Sequence, residues 1–286
     1  MIHAVIRPRG PYLLALTARH ASDATRLFRD GVLEARLPAA GGTERAAARQ
    51  LPDGSLRLAA ESEESLQALR FVLAIDADHS EFLRRFRSDS MLGPATRGLA
   101  GLRQLRLPTV AGALVRALCG QLIEAKRARA IERRIVRAVM PEHGGLHAPP
   151  TAAALAALAP AELRRLGLHA RRGATLVRVC GSLELERLRD LPAPVVAARL
   201  GRERGLGPWS VGVVALEGLG RYDIGLVGDL GLIKLLSAIR GRRVEGWETE
   251  ELLAPYGEWA GLAGVYMLAG WSRGLLPIAP LARHAA

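Results

Sequence analysis

The chain has 286 residues, with 40 Lys and Arg against 28 Asp and Glu, a formal net charge of +12. Its two cysteines exclude a disulfide framework, a four-cysteine zinc site and an iron–sulfur cluster. No stretch approaches the roughly 20 uninterrupted apolar residues needed to cross a bilayer, and Met1–Arg7 has no signal-peptide run, so a reduced cytoplasm is the default compartment. The length suits two or three packed subdomains. The positive charge fits nucleic acid as a partner, although an Arg-rich proteome produces the same balance.

Residues 1–88 read as a small α+β domain. Short β-type runs fall at Ala4–Ile6, Val32–Leu37 and Ser55–Ala60, the last after the turn tripeptide Pro52-Asp53-Gly54. A helix is predicted over Glu64–Ile75, where Leu66, Leu69, Val72 and Leu73 recur at helical spacing. All four Phe residues (Phe28, Phe71, Phe82, Phe86) lie in this first third and are assigned to its core.

From residue 89 to 286 the pattern is helical. Gly and Pro punctuate the predicted helices Ala111–Cys119, Ala125–Val139, Thr151–Leu158, Ala161–Leu166, Ala174–Glu186, Pro194–Arg202, Trp209–Leu219 and Leu230–Ile239. In most of them Arg occupies the face opposite the apolar stripe. No strand is expected in this region.

Two short segments carry the chemistry. In Arg204-Gly205-Leu206-Gly207-Pro208-Trp209-Ser210, two glycines bracket an apolar plug, and Pro208 opens the next helix. The free N–H groups there suit an anion such as a DNA phosphate, while an ordinary turn between helices would read the same way. In Val227-Gly228-Asp229-Leu230-Gly231, Asp229 stands just before a helix. It reads as an N-cap, as a carboxylate beside a reacting centre, or as both.

Together these segments, with Val213-Val214-Ala215-Leu216, Gly218-Leu219-Gly220 and Asp223, resemble the helix–hairpin–helix DNA glycosylase superfamily. The resemblance is closest to the 3-methyladenine DNA glycosylase II branch. It extends to Ala113–Ile123, to Pro160–Leu168 and to the N-terminal α+β portion, covering nearly the whole chain. It implies a mostly α fold of two helical subdomains with a small N-terminal α+β domain and a hairpin at about 195–219. It also implies a base excision repair enzyme that flips alkylated bases out of damaged double-stranded DNA and hydrolyses their bond to the sugar. The same fold acting on oxidised guanine, uracil or mismatched bases is one alternative; a non-catalytic damaged-DNA-binding protein is another.

The resemblance assigns Asp229 as the catalytic carboxylate, and Gly205, Leu206, Gly207, Ser210, Gln121 and Leu122 to DNA. Gln121 and Leu122 fall where the superfamily fills the gap left by the flipped base, although Leu122 could equally pack in a core. Trp209 stands where bifunctional relatives carry a catalytic Lys, so a base-releasing enzyme without strand cleavage is implied. Trp209, Tyr256, Trp259 and Tyr266 are the candidates for the base pocket. Val213 replaces an aromatic frequent in the branch, and Gly228 replaces a second acid found in some members. The seven His, including His143, His147 and His284, have no metal-ligand spacing. No cofactor is expected beyond a monovalent cation at the hairpin, and the expected state is a monomer.

Overall fold

The computed structural model describes residues 1–278, so His284 and the rest of 279–286 lie outside the described residues. Near the N-terminus the alternating runs pair as an antiparallel sheet. Its strands are β1 (Ile2–Ile6), β2 (Arg26–Arg29), β3 (Val32–Ala39), β4 (Gly42–Gln50) and β5 (Leu56–Ala60), in the order β1-β5-β4-β3-β2. Leu33, Ala35 and Leu37 of β3 point to one face with Ala46 and Ala48 of β4 and Leu56 and Leu58 of β5. The short helix α1 (Leu14–Ala18) and α2 (Glu63–Val72) contribute Leu14, Leu66 and Leu69 to the same core. Ser62 starts α2 by accepting a hydrogen bond from the Ser65 N–H. β2 and β4 were not expected from sequence, because β4 (GTERAAARQ) alternates on Ala, a weak strand former.

The core boundary falls earlier than residue 88. Phe82 in α3 (Ser80–Arg85) and Phe86 just beyond it pack into the helical core with Tyr256 and Tyr266. Leu105, well past the boundary, packs into the sheet core.

The helical region contains α4 (Gly93–Gly98), α5 (Val110–Gly120), α6 (Ala125–Val139), α7 (Ala152–Ala156), α8 (Pro160–Arg165), α9 (Ala170–Ser182) and α10 (Ala193–Gly201). It continues with α11 (Pro208–Val213), α12 (Leu230–Arg240), α13 (Glu248–Leu253) and α14 (Ala260–Trp271). Helices α5 to α11 form one group around α5, which is buried along nearly its whole length. The end of the chain forms a second group, α12 to α14, joined by α4. The two groups share one apolar core. α14 was not expected: it is apolar on every side, so it shows no amphipathic period. One short strand pair also interrupts the helices, Glu142–His143 with Leu146–His147, turning on Gly144 and Gly145 at positive φ. Among the described residues no helix is long and apolar enough to cross a membrane.

Candidate active site

A cleft of about 850 Å³ opens between α5, α6, α11 and α12. Its mouth carries Leu122, Gly207, Pro208 and Trp247, and Asp229 lines its wall.

Asp229 is the N-cap of α12, with extended backbone dihedrals. Its Oδ1 accepts hydrogen bonds from Gly231 N–H at 2.8 Å and Leu232 N–H at 3.2 Å. Its Oδ2 accepts from the indole Nε1–H of Trp209 at 2.9 Å. The cap fixes the carboxylate to a helix end, and the indole aims its second oxygen along the cleft wall. Gly228, immediately before it, has φ +85, so a side-chain acid at that position would be strained. Thr249 Oγ1 accepts from Gly228 N–H at 2.7 Å and holds this turn.

Trp209 lies flush against the end of α5. A Cβ at Gly120 would stand 2.6 Å from its ring, so only glycine admits the indole there. Of the four aromatics assigned to the pocket from sequence, Trp209 alone lines the cleft. Tyr256 and Tyr266 are buried, their hydroxyls donating to Asp89 and to the Leu102 carbonyl. Trp259 packs on Phe82 and Tyr222. These three belong to the core that joins α3 to α14, because residue type alone does not separate a cleft aromatic from a core one. Trp247, 65% exposed at the mouth, is the aromatic not singled out from sequence.

The hairpin joins α10 to α11. Leu206 is buried, the plug its bracketing glycines suggested. Gly205 requires its positive φ (+94), and a Cβ there would meet Thr175 Oγ1 at 2.5 Å. Gly207 has open space at its Cβ position. Gly207 caps α11 without any side-chain hydrogen bond, which leaves the first backbone donors of that helix to another partner. The Ser210 side chain is buried and accepts from Gln121 Nε2 at 2.9 Å, so only its backbone can face DNA. Gln121 Nε2 also donates to the Gly205 carbonyl at 2.9 Å. The Arg204 carbonyl accepts from Arg178 Nη2 at 2.6 Å. A monovalent cation would need bare carbonyls, and these two already serve donors, one of them cationic.

Leu122 follows Gln121 at the tip of the turn after α5. It is 81% exposed with φ +54, a left-handed conformation rare outside glycine. Nothing about it is core-like.

Other cleft residues were not found by sequence reasoning. Trp209, Val213 and Glu217 follow one another at four-residue spacing from the half-buried wall to the floor, Glu217 in a π-helical turn over Val214–Leu219. At the floor Glu217 meets Arg116 of α5 and Glu132 of α6. Lys234 of α12 also lines the cleft. Among the described residues no group of three metal-capable side chains forms.

The fold is that of the helix–hairpin–helix DNA glycosylases. A 3-methyladenine DNA-glycosylase from Archaeoglobus fulgidus superposes with a TM-score of 0.80, covering 94% of this chain and 98% of that one at 18% identity. An 8-oxoguanine glycosylase/lyase from Clostridium acetobutylicum superposes with a TM-score of 0.77, covering 96% and 98% at 14% identity. In sequence, the chain is 24% identical over 216 residues to a DNA-3-methyladenine glycosylase of Bacillus subtilis (strain 168), covering 72% of this chain and 71% of the relative. No protein-family model matches the chain.

Proposed function

We propose that this protein is a monofunctional DNA glycosylase of base excision repair, acting as a monomer in the cytoplasm, that releases alkylated bases from damaged double-stranded DNA. The observation that carries the reading is Asp229, a carboxylate fixed on a cleft wall between a helix cap and the Trp209 indole. The Bacillus subtilis relative supports alkylated bases as the substrate class.

In this reading the first-turn N–H groups of α11 hold a phosphate, with Arg-rich surroundings supplying the charge that draws DNA in. Leu122 enters the stack and replaces the flipped base, and its strained backbone is the feature that marks it for that work. Breaking the bond from sugar to base leaves positive charge on the sugar, which the Asp229 carboxylate stabilises while it takes a proton from the attacking water. An alkylated purine is already cationic and departs without a dedicated acid.

The chain contains two lysines, Lys126 and Lys234, and neither is in the hairpin. Lys234 lines the cleft one turn into α12, so borohydride trapping tests it directly. Release assays on DNA containing 7-methylguanine, 8-oxoguanine or uracil decide the substrate. The expected outcome is release of the methylated base, no trapped adduct, and strand breaks only after alkali. Preferential release of 8-oxoguanine would move the reading to oxidised bases. Tight binding without release of any base would leave a damage-binding protein.

A further inference from the structure

The cleft carries a charge opposite to that of the molecule around it. Its carboxylates are Glu124, Glu132, Glu217, Asp229 and Glu250. Its cations are Arg116, Arg129 and Lys234, so five against three leaves −2 in a chain of net +12. The excess is concentrated at the floor. The buried guanidinium of Arg116 is shared by three carboxylates, Asp23, Glu132 and Glu217. Asp23 has Arg26 as a second partner and Glu132 has the half-exposed Arg129, but Glu217 has no other cation among the described residues. The strain of this arrangement shows in Glu132. Burial, with Asp23 and Glu217 nearby, pushes its carboxyl up to about 7 despite Arg116. The floor is reached because Val213, and not a large aromatic, stands between Trp209 and Glu217.

We infer that Glu217 and Glu132 read the charge of the flipped base, selecting purines that carry a fixed positive charge over neutral ones of the same shape. The inference deepens the glycosylase reading and rests on it for the identity of the ligand. A cation entering the cleft supplies the charge the floor lacks, and it does so in a water-poor site where the interaction is strong. The same floor also lets the product go. When the bond between sugar and base breaks, its electron pair stays on the base and cancels the positive charge. The positive charge passes to the sugar, where water adds and loses a proton. The released base is neutral, and the floor no longer holds it. Glu217 and Glu132 are therefore specificity residues that act mainly on KM, whereas Asp229 acts on kcat.

Titrating the full chain at pH 8 with 3,9-dimethyladeninium, a purine of fixed charge, and with neutral 9-methyladenine separates charge from shape and needs no turnover. The cation is expected to bind at least tenfold more tightly. Glu217→Gln keeps an oxygen for Arg116 and is expected to bring the preference to threefold or less. Arg129→Gln, at a half-exposed site that threatens folding little, is expected to raise it. A wild-type preference near unity, or one that neither variant moves, overturns the inference. Should Glu217→Gln fail to fold, the direction of the Arg129→Gln shift decides. Wild-type protein that prefers the cation yet releases no base from DNA would defeat the glycosylase reading alone.

Discussion

Each oxygen of Asp229 has its own work: Oδ1 closes the first turn of α12, and Oδ2 receives the Trp209 indole. Asparagine is as good an N-cap as aspartate, so Asp229→Asn keeps the Oδ1 bonds and costs about 1 kcal/mol or less of stability. It removes the negative charge and sets an amide N–H against the indole N–H. Base release is expected to fall about 10²- to 10³-fold, the size of losing one transition-state charge stabiliser. DNA affinity should hold or rise, since the variant is more positive. Single-turnover release and a binding titration on the folded variant check both; release within a few-fold of wild type would remove Asp229 from the chemistry. At this scale the sequence was legible where the signal is local. Asp229, Gly205 and Gly207 sit in segments of five to seven residues whose turn chemistry is readable in order. Arg116, Glu132 and Glu217 come from three separate elements and meet only in the fold. Tyr256, Trp259 and Tyr266 were misplaced for the same reason, since their neighbours are distant in the chain.

The hairpin and the turn after α5 can be taken apart by glycine chemistry. At Gly205 a side chain meets both the strain of φ +94 and Thr175, so Gly205→Val is expected to lower the melting temperature. At Gly207 the backbone is extended and the Cβ direction is empty, so Gly207→Val should melt much as wild type. Its methyl groups would then stand where a phosphate must come close. Binding to damaged and undamaged duplex should weaken alike, because a phosphate contact carries no lesion information. A Gly207→Val protein with unaltered duplex affinity would place the phosphate elsewhere. Leu122→Gly sends two readouts in opposite directions. Glycine relieves the left-handed strain at φ +54, so stability is expected to be unchanged or about 1 kcal/mol higher. The stacking substitute is lost, at roughly 1–3 kcal/mol, so release should fall about 5- to 150-fold. A parallel loss of stability and release would mean that the side chain serves the fold. Elements with strong periodicity, such as α5, α6 and α12, were legible with boundaries close to those found. The Ala-rich β4 and the uniformly apolar α14 were not, because neither alternates polar with apolar in the way its structure requires.

Over the whole molecule the two cores meet at charge as well as at apolar surface. Asp23 lies in the N-terminal domain, and it reaches Arg116 at the floor of the helical cleft. Burial alone would raise its carboxyl, but Arg26 and Arg116 hold it well below the ordinary carboxylate range. Glu132 goes the other way, from 4.5 up to about 7. Between those values the native state keeps a proton that the unfolded chain has released, so this contribution to stability falls as pH rises. Burial beside Arg103 and Arg106 pushes His79 down to about 2, so its contribution rises with pH up to about 6.5 and masks the slope. The comparison that isolates Glu132 is with Glu132→Gln, a fixed neutral side chain. Melting temperatures measured from pH 4.5 to 7.5 should show the variant gaining on wild type as pH rises. A constant gap would mean that Glu132 titrates normally. The charged junction was invisible in the sequence: Asp23 and Arg116 are 93 residues apart and neither lies in a recognisable motif.

Gln121 spans the gap between the two parts that would touch DNA, with one amide nitrogen bonded to the Gly205 carbonyl and to Ser210. Leu122 is its direct neighbour, so the distance from the phosphate grip to the wedge is set by two hydrogen bonds and a single residue. Under the proposed function that distance acts as a ruler. Each phosphate seated on the hairpin presents the same base step to Leu122, and a protein moving along a duplex would test it one nucleotide at a time, in register.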